Sequence, residues 1–149
     1  MSHVRQQIRD RVQMVLTGLT TTGSNVFLSR VYPLQKNELP CLLIYTIAET
    51  SKPLEPSTAS RAINRVLDLN IEAVLDGING YDDTLDTIAK EVETAMSNDT
   101  DLNGLVMDQY LIESKIKYTG GEGEKPLAAL SLVYRVQYMN QENDPETAM

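Results

Sequence analysis

Apolar residues recur at three- and four-residue spacings in two parts of the chain. The first stripe spans residues 4–19, where the other positions are mostly polar or charged, a pattern typical of an amphipathic helix. The second stripe predicts a helix that starts with Asp82 or Asp83 as its capping residue. The apolar positions of the two predicted helices are Val4, Ile8, Val12, Val15, Leu16 and Leu19, followed by Leu85, Ile88, Val92, Ala95 and Met96.

Alternation of apolar and polar residues predicts three strands, each with one buried side and one solvent-facing side. These strands cover residues 65–75, 110–118 and 130–138. Residues 41–48 do not alternate and are apolar on both sides, which indicates a central strand that is covered on both faces. Residues 25–28 predict a further short strand.

The connecting segments are polar and rich in residues that favour turns. Residues 30–34 are expected to be extended, because the residue before a proline is disfavoured in helical geometry. Residues 49–60 contain two prolines and predict a polar loop longer than the usual hairpin connection, a length often associated with function or mobility. Residues 120–124 are glycine-rich and predict a flexible turn.

The order of these elements is helix, strands, helix, strands. It predicts an α+β fold in which a mixed, mostly antiparallel β-sheet has two amphipathic helices packed on one face, with one long polar hairpin loop. A chain of 149 residues fits a single domain, which we place at residues 1–139. Residues 140–149 are acidic and nearly devoid of large apolar groups, so we expect a flexible C-terminal tail there.

The net charge of −8 disfavours nucleic-acid binding, because contacts with phosphates need a basic surface. The charge is also unevenly distributed. Residues 1–36 contain five basic residues and one acidic residue, whereas residues 66–113 contain twelve acidic residues and one lysine. Copies that pack head to tail would bring these segments together. The hypothesised subunit contact has a basic side, Arg5, Arg9 and Arg11, and an acidic side, Asp82, Asp83 and Asp86.

Residue types that catalysis requires are scarce. His3 is the single histidine and is expected in a frayed terminus, away from any nucleophile. Cys41, the single cysteine, lies in an apolar run and is expected to be a small buried hydrophobe. The aspartates Asp82, Asp83 and Asp86 are compatible with a hard cation, but a helix start explains them more simply, since the helix dipole favours negative charge there. We expect no enzymatic activity, no cofactor and no bound metal.

Membrane association is not indicated by the sequence. No segment approaches the roughly 20 consecutive apolar residues that a membrane-spanning helix needs, and no apolar signal core follows the first residues. The sequence therefore predicts a protein that is made and used in a cytoplasm.

Several short stretches resemble the tail terminators of long-tailed bacteriophages, a family similar to the minor tail protein U of lambda-like phages. The resemblance covers most of the chain and consists of structural consensus residues. The stretches are Arg5-Gln-Gln-Ile-Arg-Asp, Leu16-Thr-Gly-Leu, Thr22-Gly23, Val26-Phe27, Ser29-Arg-Val-Tyr-Pro33, Leu39-Pro-Cys-Leu-Leu-Ile-Tyr45 and Gly121-Glu-Gly-Glu-Lys-Pro126.

This resemblance implies a structural virion protein that forms a ring, typically of six copies, on the finished tail tube. The ring ends tube polymerisation and offers a surface for joining the head. The implied partners are further copies of the chain, the tail tube protein and the head connector protein. The implied location is the head–tail junction of the virion, after assembly in the host cytoplasm. The alternative is another head–tail connector or tail completion protein of the same particle.

The long polar loop and its flank are mildly basic, which fits either a solvated edge or a surface that faces a partner. In a tail terminator, we hypothesise that this segment contacts the tail tube. The residues assigned to that contact are Lys52, Glu55, Arg61 and Arg65.

Overall fold

The computed structural model describes residues 2–28, 36–57, 61–119 and 126–149. The segments predicted at residues 30–34 and 120–124 therefore lie outside the described residues. The described helices and strands are α1 (Val4–Leu16), β1 (Val26–Phe27), β2 (Cys41–Pro53), β3 (Ala62–Asp76), α2 (Tyr81–Ser97), β4 (Asp108–Thr119), β5 (Leu127–Gln141) and β6 (Asp144–Ala148), with a short 3-10 turn at Lys36–Glu38 before β2.

The strands form one sheet in the order β1-β2-β3-β5-β4. β1 runs parallel to β2, and the other pairings along this order are antiparallel. β3 and β5 form the centre of the sheet and pair along their whole length, from Ala62 opposite Gln141 to Asp76 opposite Leu127. The predicted α+β fold with a mixed, mostly antiparallel sheet is confirmed.

Both helices pack on one face of the sheet, as predicted. Alternate residues of a strand point to the same side, and β3 thereby turns Leu67, Leu69 and Ile71 toward the helices. Burial of one large aliphatic side chain contributes roughly 1.5–3 kcal/mol, so the helices are held by their apolar stripes. The buried positions of the stripes are Val4, Ile8, Val12 and Leu16 of α1, and Leu85, Ile88, Ala89, Val92 and Met96 of α2.

α1 ends three residues earlier than the apolar stripe predicts. The backbone leaves helical geometry at Thr17, which is extended, and Gly18 then has a φ of +93°, a left-handed conformation that glycine adopts without steric cost. The Gly18 amide donates to the carbonyl oxygen of Gly23 at 2.8 Å and closes a tight turn. Leu19 still packs against the core, which explains why it continues the apolar spacing without belonging to the helix.

α2 begins without the aspartate cap that the sequence predicts. The capping residue is Gly80, with a φ of +84° and no side-chain hydrogen bond to the helix. Asp82 and Asp83 instead lie inside the first turn, where their charges face the positive end of the helix dipole. The prediction that Asp82 or Asp83 caps α2 is therefore wrong. Their position in the first turn agrees with the predicted interaction between their charges and the helix dipole.

The hairpin of β2 and β3 is longer than predicted. Residues 49–53 belong to β2 and pair with residues 63–67 of β3, so the connection shrinks to residues 54–61. Backbone hydrogen bonds do not require apolar side chains, and a polar stretch therefore extends the strand despite its composition. The prediction of a loop is therefore wrong for residues 49–53, which form a two-stranded arm with β3. Residues 54–61 are the tip of this arm.

The C-terminal residues are also more ordered than their composition suggests. The expected tail at residues 140–149 begins inside β5 and ends in β6, which pairs with the end of β5. The Met149 amide donates to the Met139 carbonyl at 2.9 Å. Gln7 of α1 donates from its Nε2 atom to the carbonyl oxygens of Glu146 and Ser2, each at 2.7 Å. The last residues are thus fixed against the first helix.

Candidate assembly surfaces

A cluster of charged side chains joins α1, the β2–β3 arm and the end of β5 around Glu49. The Glu49 side chain is 8% exposed. Its Oε1 atom accepts from Nη1 of Arg5 at 2.6 Å and from Nη1 of Arg65 at 3.1 Å, while Oε2 accepts from the Tyr138 hydroxyl. Two guanidinium groups on one carboxylate satisfy its buried charge, which would be costly to leave unpaired. We call Arg5, Glu49, Arg65 and Tyr138 the Glu49 cluster.

The surroundings of the Glu49 cluster hold its members in place. Nε of Arg65 donates to Oδ1 of Asn140 at 2.7 Å, and Asn140 in turn donates to the Gln141 carbonyl at 2.6 Å. Burial, followed by the hydrogen bond to Glu49, raises the pKa of Tyr138 well above its ordinary value of 10. The hydroxyl therefore stays protonated and donating throughout the neutral range.

His3 is ordered and caps α1, in contrast to the frayed terminus expected from the sequence. Its Nδ1 atom accepts from the backbone amide of Arg5 at 3.1 Å. Partial burial, with the nearby Arg5 guanidinium, lowers the pKa of His3 below 6.5. A neutral ring keeps the lone pair on Nδ1 that this cap requires.

The three arginines of the predicted basic side do not form one free patch. Arg5 belongs to the Glu49 cluster, and Nε of Arg11 donates to Oδ2 of Asp99 at 2.9 Å. Arg9 has no ion pair with another described residue. The complementarity expected between neighbouring copies is thus realised in part within one chain, where Arg11 meets the acidic segment. Their role in a contact between copies stays a prediction.

The three aspartates of the predicted acidic side are exposed on α2. Asp82 and Asp83 lie in the first turn and Asp86 follows one turn later. Among the residues that the structure describes, no group of three or more His, Cys, Asp or Glu side chains is arranged to hold a metal ion. The exposed aspartates leave α2 with an acidic outer surface next to Lys90.

The four residues assigned to the tail-tube contact do not lie on one common surface patch. Lys52 is exposed on β2, and Glu55 accepts at Oε1 from the Ala62 amide at 3.0 Å, close to the tip of the arm. Arg61 forms an ion pair with Glu142. Arg65 lies further from the tip, in the Glu49 cluster, because β3 begins earlier than predicted.

Polar side chains also cross the face of the sheet that lies opposite the helices. Arg135 on β5 donates from Nε and Nη2 to the two carboxylate oxygens of Asp68 on β3, at 3.0 and 3.3 Å. Further along, Tyr45 donates to Glu72 at 2.7 Å and accepts from Asn70 at 2.6 Å. These cross-strand pairs fix β2, β3 and β5 relative to one another, beside a small buried apolar cluster on the same face that includes Cys41, Leu43 and Val74.

The described strands place β4 at one side of the sheet and β2 with the short β1 at the other. On one side the edge strand is β4, and no described strand pairs with its outer edge. On the other side the described part of β1 runs beside β2 at Leu42 and Leu43. We call these the β4 edge and the β2 edge. Sequence patterns missed them, because alternation within a strand does not reveal its place in the sheet.

The β4 edge exposes several large apolar or aromatic side chains between its charged ones. Tyr110, Ile112, Ile116 and Tyr118 are between 39% and 52% exposed, and a β-bulge between Leu111 and Glu113 interrupts the pairing with β5. Natural edge strands are commonly short or charged, since open backbone groups invite pairing with another strand. A twelve-residue edge with four large exposed side chains therefore indicates a contact surface.

The β2 edge shares two of these properties. A β-bulge lies between Thr46 and Ala48, and the residue inside it, Ile47, is 49% exposed. Leu54, directly after the strand, is 55% exposed. The two edges thus each carry a bulge with an exposed isoleucine, although they belong to opposite sides of the sheet.

Cys41 lies on the first residue of β2 and is fully buried, as the sequence predicts. Burial raises the pKa of its thiol to about 12, with a smaller contribution from the nearby carboxylates. At neutral pH the thiol is therefore protonated and shielded, and it is a poor nucleophile.

Neither of the two described helices has the length and apolar character that crossing a membrane requires. No protein-family model matches the chain, and no curated protein matches it. Among solved structures, the chain is similar to one in the virion of a native gene transfer agent particle, with 15% sequence identity and a TM-score of 0.41. The match covers 91% of this chain and 90% of that chain. A TM-score this low establishes neither a common fold nor a common function.

Proposed function

We propose that the chain is a non-enzymatic structural protein of a phage-like virion. In this proposal, copies of it form a closed ring that caps the tail tube, ends tube polymerisation and provides the surface for head joining. The observation that carries the ring is that β4 and β2, on opposite sides of the sheet, are unlike and that each has an exposed isoleucine at a β-bulge. Two different patches on one subunit support a head-to-tail contact between copies. Such a contact closes into a ring when a whole number of copies completes one full turn, and it otherwise gives an open filament.

The position on the tail tube is supported by the sequence stretches that resemble tail terminators. Six copies are expected from that resemblance. The tail tube protein and the head connector protein are the proposed partners, and the head–tail junction is the proposed location. A head-side connector or tail completion protein would use the same ring but bind a different end of the junction.

The test is to add the purified chain to a tail tube protein during polymerisation and to measure tube lengths and tube ends by electron microscopy. The expected result is a ring on one end of each tube and shorter tubes as the chain is added in larger amounts. Bare ends and unchanged lengths, together with rings on isolated head connectors, would support the connector role instead. Bare ends with no rings on either structure would reject both roles.

The tip of the β2–β3 arm is the part of the chain that we assign to the tube. Replacement of residues 55–60 by an Asn-Gly turn leaves the ladder of β2 and β3 in place, so folding and ring formation should be unchanged while tube capping is lost. The matched control is Glu142→Gln, which removes the partner of Arg61 and keeps the tip. Normal capping by the shortened arm would remove the tip from the proposed contact.

A further inference from the structure

The side chains of β4 are arranged almost symmetrically about Ser114. Glu113 and Lys115 flank this residue, and Ile112 and Ile116 lie one position further out. In an antiparallel pair, each step forward along one strand is a step backward along the other. Two copies of β4 that meet at Ser114 therefore place Glu113 of one copy opposite Lys115 of the other. One position further out, they place Ile112 opposite Ile116.

The side chains of this stretch are accessible to a second copy. Residues 112–116 are all exposed, and β4 is the last strand of the described sheet order. Neither Glu113 nor Lys115 forms an ion pair with another described residue. Pairing with a second copy would give both charges a partner, cover Ile112 and Ile116, and extend the sheet across the β4 edge.

The faces of the strand agree with this arrangement. Glu113 and Lys115 stand opposite Val133 and Ser131 of β5, which share with Arg135 the face that lies away from the helices. A two-fold rotation about an axis perpendicular to the sheet keeps each face on its own side. The facing glutamate and lysine thus lie on one face, and the helices of both copies lie on the other.

The neighbouring registers lack this complementarity. A shift that centres the contact on Glu113 places two glutamates opposite each other on the axis, and a shift to Lys115 places two lysines there. Like charges directly opposite each other on paired strands are destabilising. The charges therefore favour the register that is centred on Ser114.

The β-bulge at Ile112 limits the length of the contact. Between Leu111 and Glu113 the register of β4 with β5 shifts by one residue, and a bulge bends its strand and increases the local twist. Regular pairing with a second copy is therefore confined to residues 112–116. Because the same patch is used by both copies, the contact closes at two and does not continue into a chain of copies.

We infer that two free copies pair through residues 112–116 of β4, antiparallel and centred on Ser114, to form a two-fold dimer. The inference goes beyond the proposed function, because it concerns the protein before it enters a virion. A β4 edge that is covered by a second copy is not available for a head-to-tail contact. A ring that uses β4 therefore forms only after the dimer separates.

Disulfide trapping tests the register. Ser114→Cys brings the two introduced thiols opposite each other, because facing Cα atoms in an antiparallel pair lie about 4.5–5.5 Å apart, within the range that a disulfide needs. Under mild oxidation this single substitution should give a covalent dimer. Because the native Cys41 is fully buried, the cross-link reports the introduced thiols.

Two further cysteine variants supply the control. Ile112→Cys alone and Ile116→Cys alone should give no dimer, since equal positions on the two copies are then four residues apart along the strand, roughly 13 Å. A mixture of the two variants should cross-link. Equal cross-linking of all three variants alone, or no dimer from Ser114→Cys, would overturn the inference.

Charge reversal tests the pairing of Glu113 with Lys115. Glu113→Lys and Lys115→Glu each place like charges opposite each other at two positions, so each should lower the association constant by about tenfold in sedimentation velocity at low salt. An equimolar mixture of the two variants should associate as strongly as the native chain, because every lysine at these positions then faces a glutamate.

Asp101→Lys and Lys90→Glu are the matched controls for the net charge. They change it by the same amounts at exposed positions outside β4, and both should associate like the native chain. A mixture that associates no better than the single variants, or controls that are weakened equally, would contradict the pairing.

The dimer and the proposed function fail separately. A trapped Ser114→Cys dimer that leaves tube lengths unchanged after reduction keeps the dimer and contradicts the proposed function. A native chain that caps tubes but sediments as a monomer at its highest soluble concentration keeps the function and contradicts the dimer.

Discussion

Arg5 on α1 and Arg65 on β3 donate to the same oxygen atom, Oε1 of Glu49, at 2.6 and 3.1 Å. The sequence-based hypotheses assign these arginines to two different surfaces, the subunit contact and the tail-tube contact. Their shared partner ties the first helix to the arm of the hairpin. Substitutions at either arginine therefore alter the stability of the subunit as well as any surface that it presents.

Glu49→Gln is expected to destabilise the fold. It removes the carboxylate charge that two guanidinium groups share, on a side chain that is 8% exposed, and breaking a buried ion pair on one side costs about 3 kcal/mol. Urea unfolding should show a lower midpoint at an unchanged slope. Glu142→Gln is the control, because its ion pair with Arg61 is half-exposed and should cost less than about 1 kcal/mol. Equal midpoints for the two variants would contradict this role of Glu49.

The free energy of unfolding should fall in alkaline solution because two tyrosines are buried. Burial raises the pKa of both Tyr134 and Tyr138 above the ordinary value of 10. Their contribution is fully present below pH 10 and is lost as the pH rises further, because the unfolded chain releases protons that the folded chain retains. Each tyrosine should steepen the fall in the free energy of unfolding by about 1.4 kcal/mol per pH unit.

Tyr138→Phe separates this effect from general alkaline unfolding. At pH 7 the variant should be less stable by about 1 kcal/mol, since the hydrogen bond to Glu49 is lost. Above pH 10 its free energy of unfolding should fall less steeply than that of the native chain. Parallel curves for the two proteins between pH 10 and pH 11.5 would show that Tyr138 does not retain its proton.

Gly77 lies at a close approach that excludes a larger side chain. A Cβ atom added there would lie 2.6 Å from Cε2 of Tyr118 and 3.1 Å from Cβ of Pro126. Tyr118 cannot move freely, because it stacks on Tyr81 at 5.2 Å and donates to the Gly77 carbonyl at 3.2 Å. Gly77→Ala should therefore cost about 1–3 kcal/mol in thermal or urea unfolding.

A double-mutant cycle tests the cause of that loss. In a Tyr118→Ala background the nearest obstacle is removed, so the further cost of Gly77→Ala should fall by at least about 0.5 kcal/mol. An unchanged cost would place the conflict at Pro126 instead.

Arg9 and Arg11 are expected to respond differently to charge reversal. Arg11→Glu breaks the ion pair with Asp99 and brings two acidic groups together, so unfolding should be easier by about 1 kcal/mol. Arg9→Glu should change stability by less than about 0.5 kcal/mol, because Arg9 has no ion pair with another described residue. Sedimentation of Arg9→Glu at low and high salt then tests the helix contact hypothesised from the sequence. A mass distribution identical to that of the native chain would remove Arg9 from the subunit contact.

The fold was predictable from the sequence wherever burial sets the pattern. The stripe of α1 and the alternation of β3 identified their elements, because residues such as Ile8 and Leu69 must face one common core. Strand ends were missed where backbone pairing alone extends the ladder, as at residues 49–53 and 144–148. Gly80 was missed as a cap because an aspartate pair stands close beside it.

The candidate surfaces were less predictable, for a physical reason. Local spacing shows which side of a strand is apolar, but the position of β4 at an edge depends on pairings between distant segments. The grouping of charges along the chain likewise did not reveal that Arg11 and Asp99 meet within one subunit. A signal was available at Tyr110 and Ile116, whose large side chains stand on an alternating strand that includes two lysines.

The two hydrogen bonds from Gln7 bring the carbonyl oxygens of Ser2 and Glu146 to within about 5.4 Å of each other, since each is 2.7 Å from the same nitrogen. A short glycine linker would therefore suffice to connect the backbone near Ser2 with the backbone near Glu146. The backbone could then be reopened at the tip of the arm, which would yield a circularly permuted protein with its new ends at residues 54–61. Reporter groups attached at those ends would be separated along β2 from the residues that pair with β1, Leu42 and Leu43.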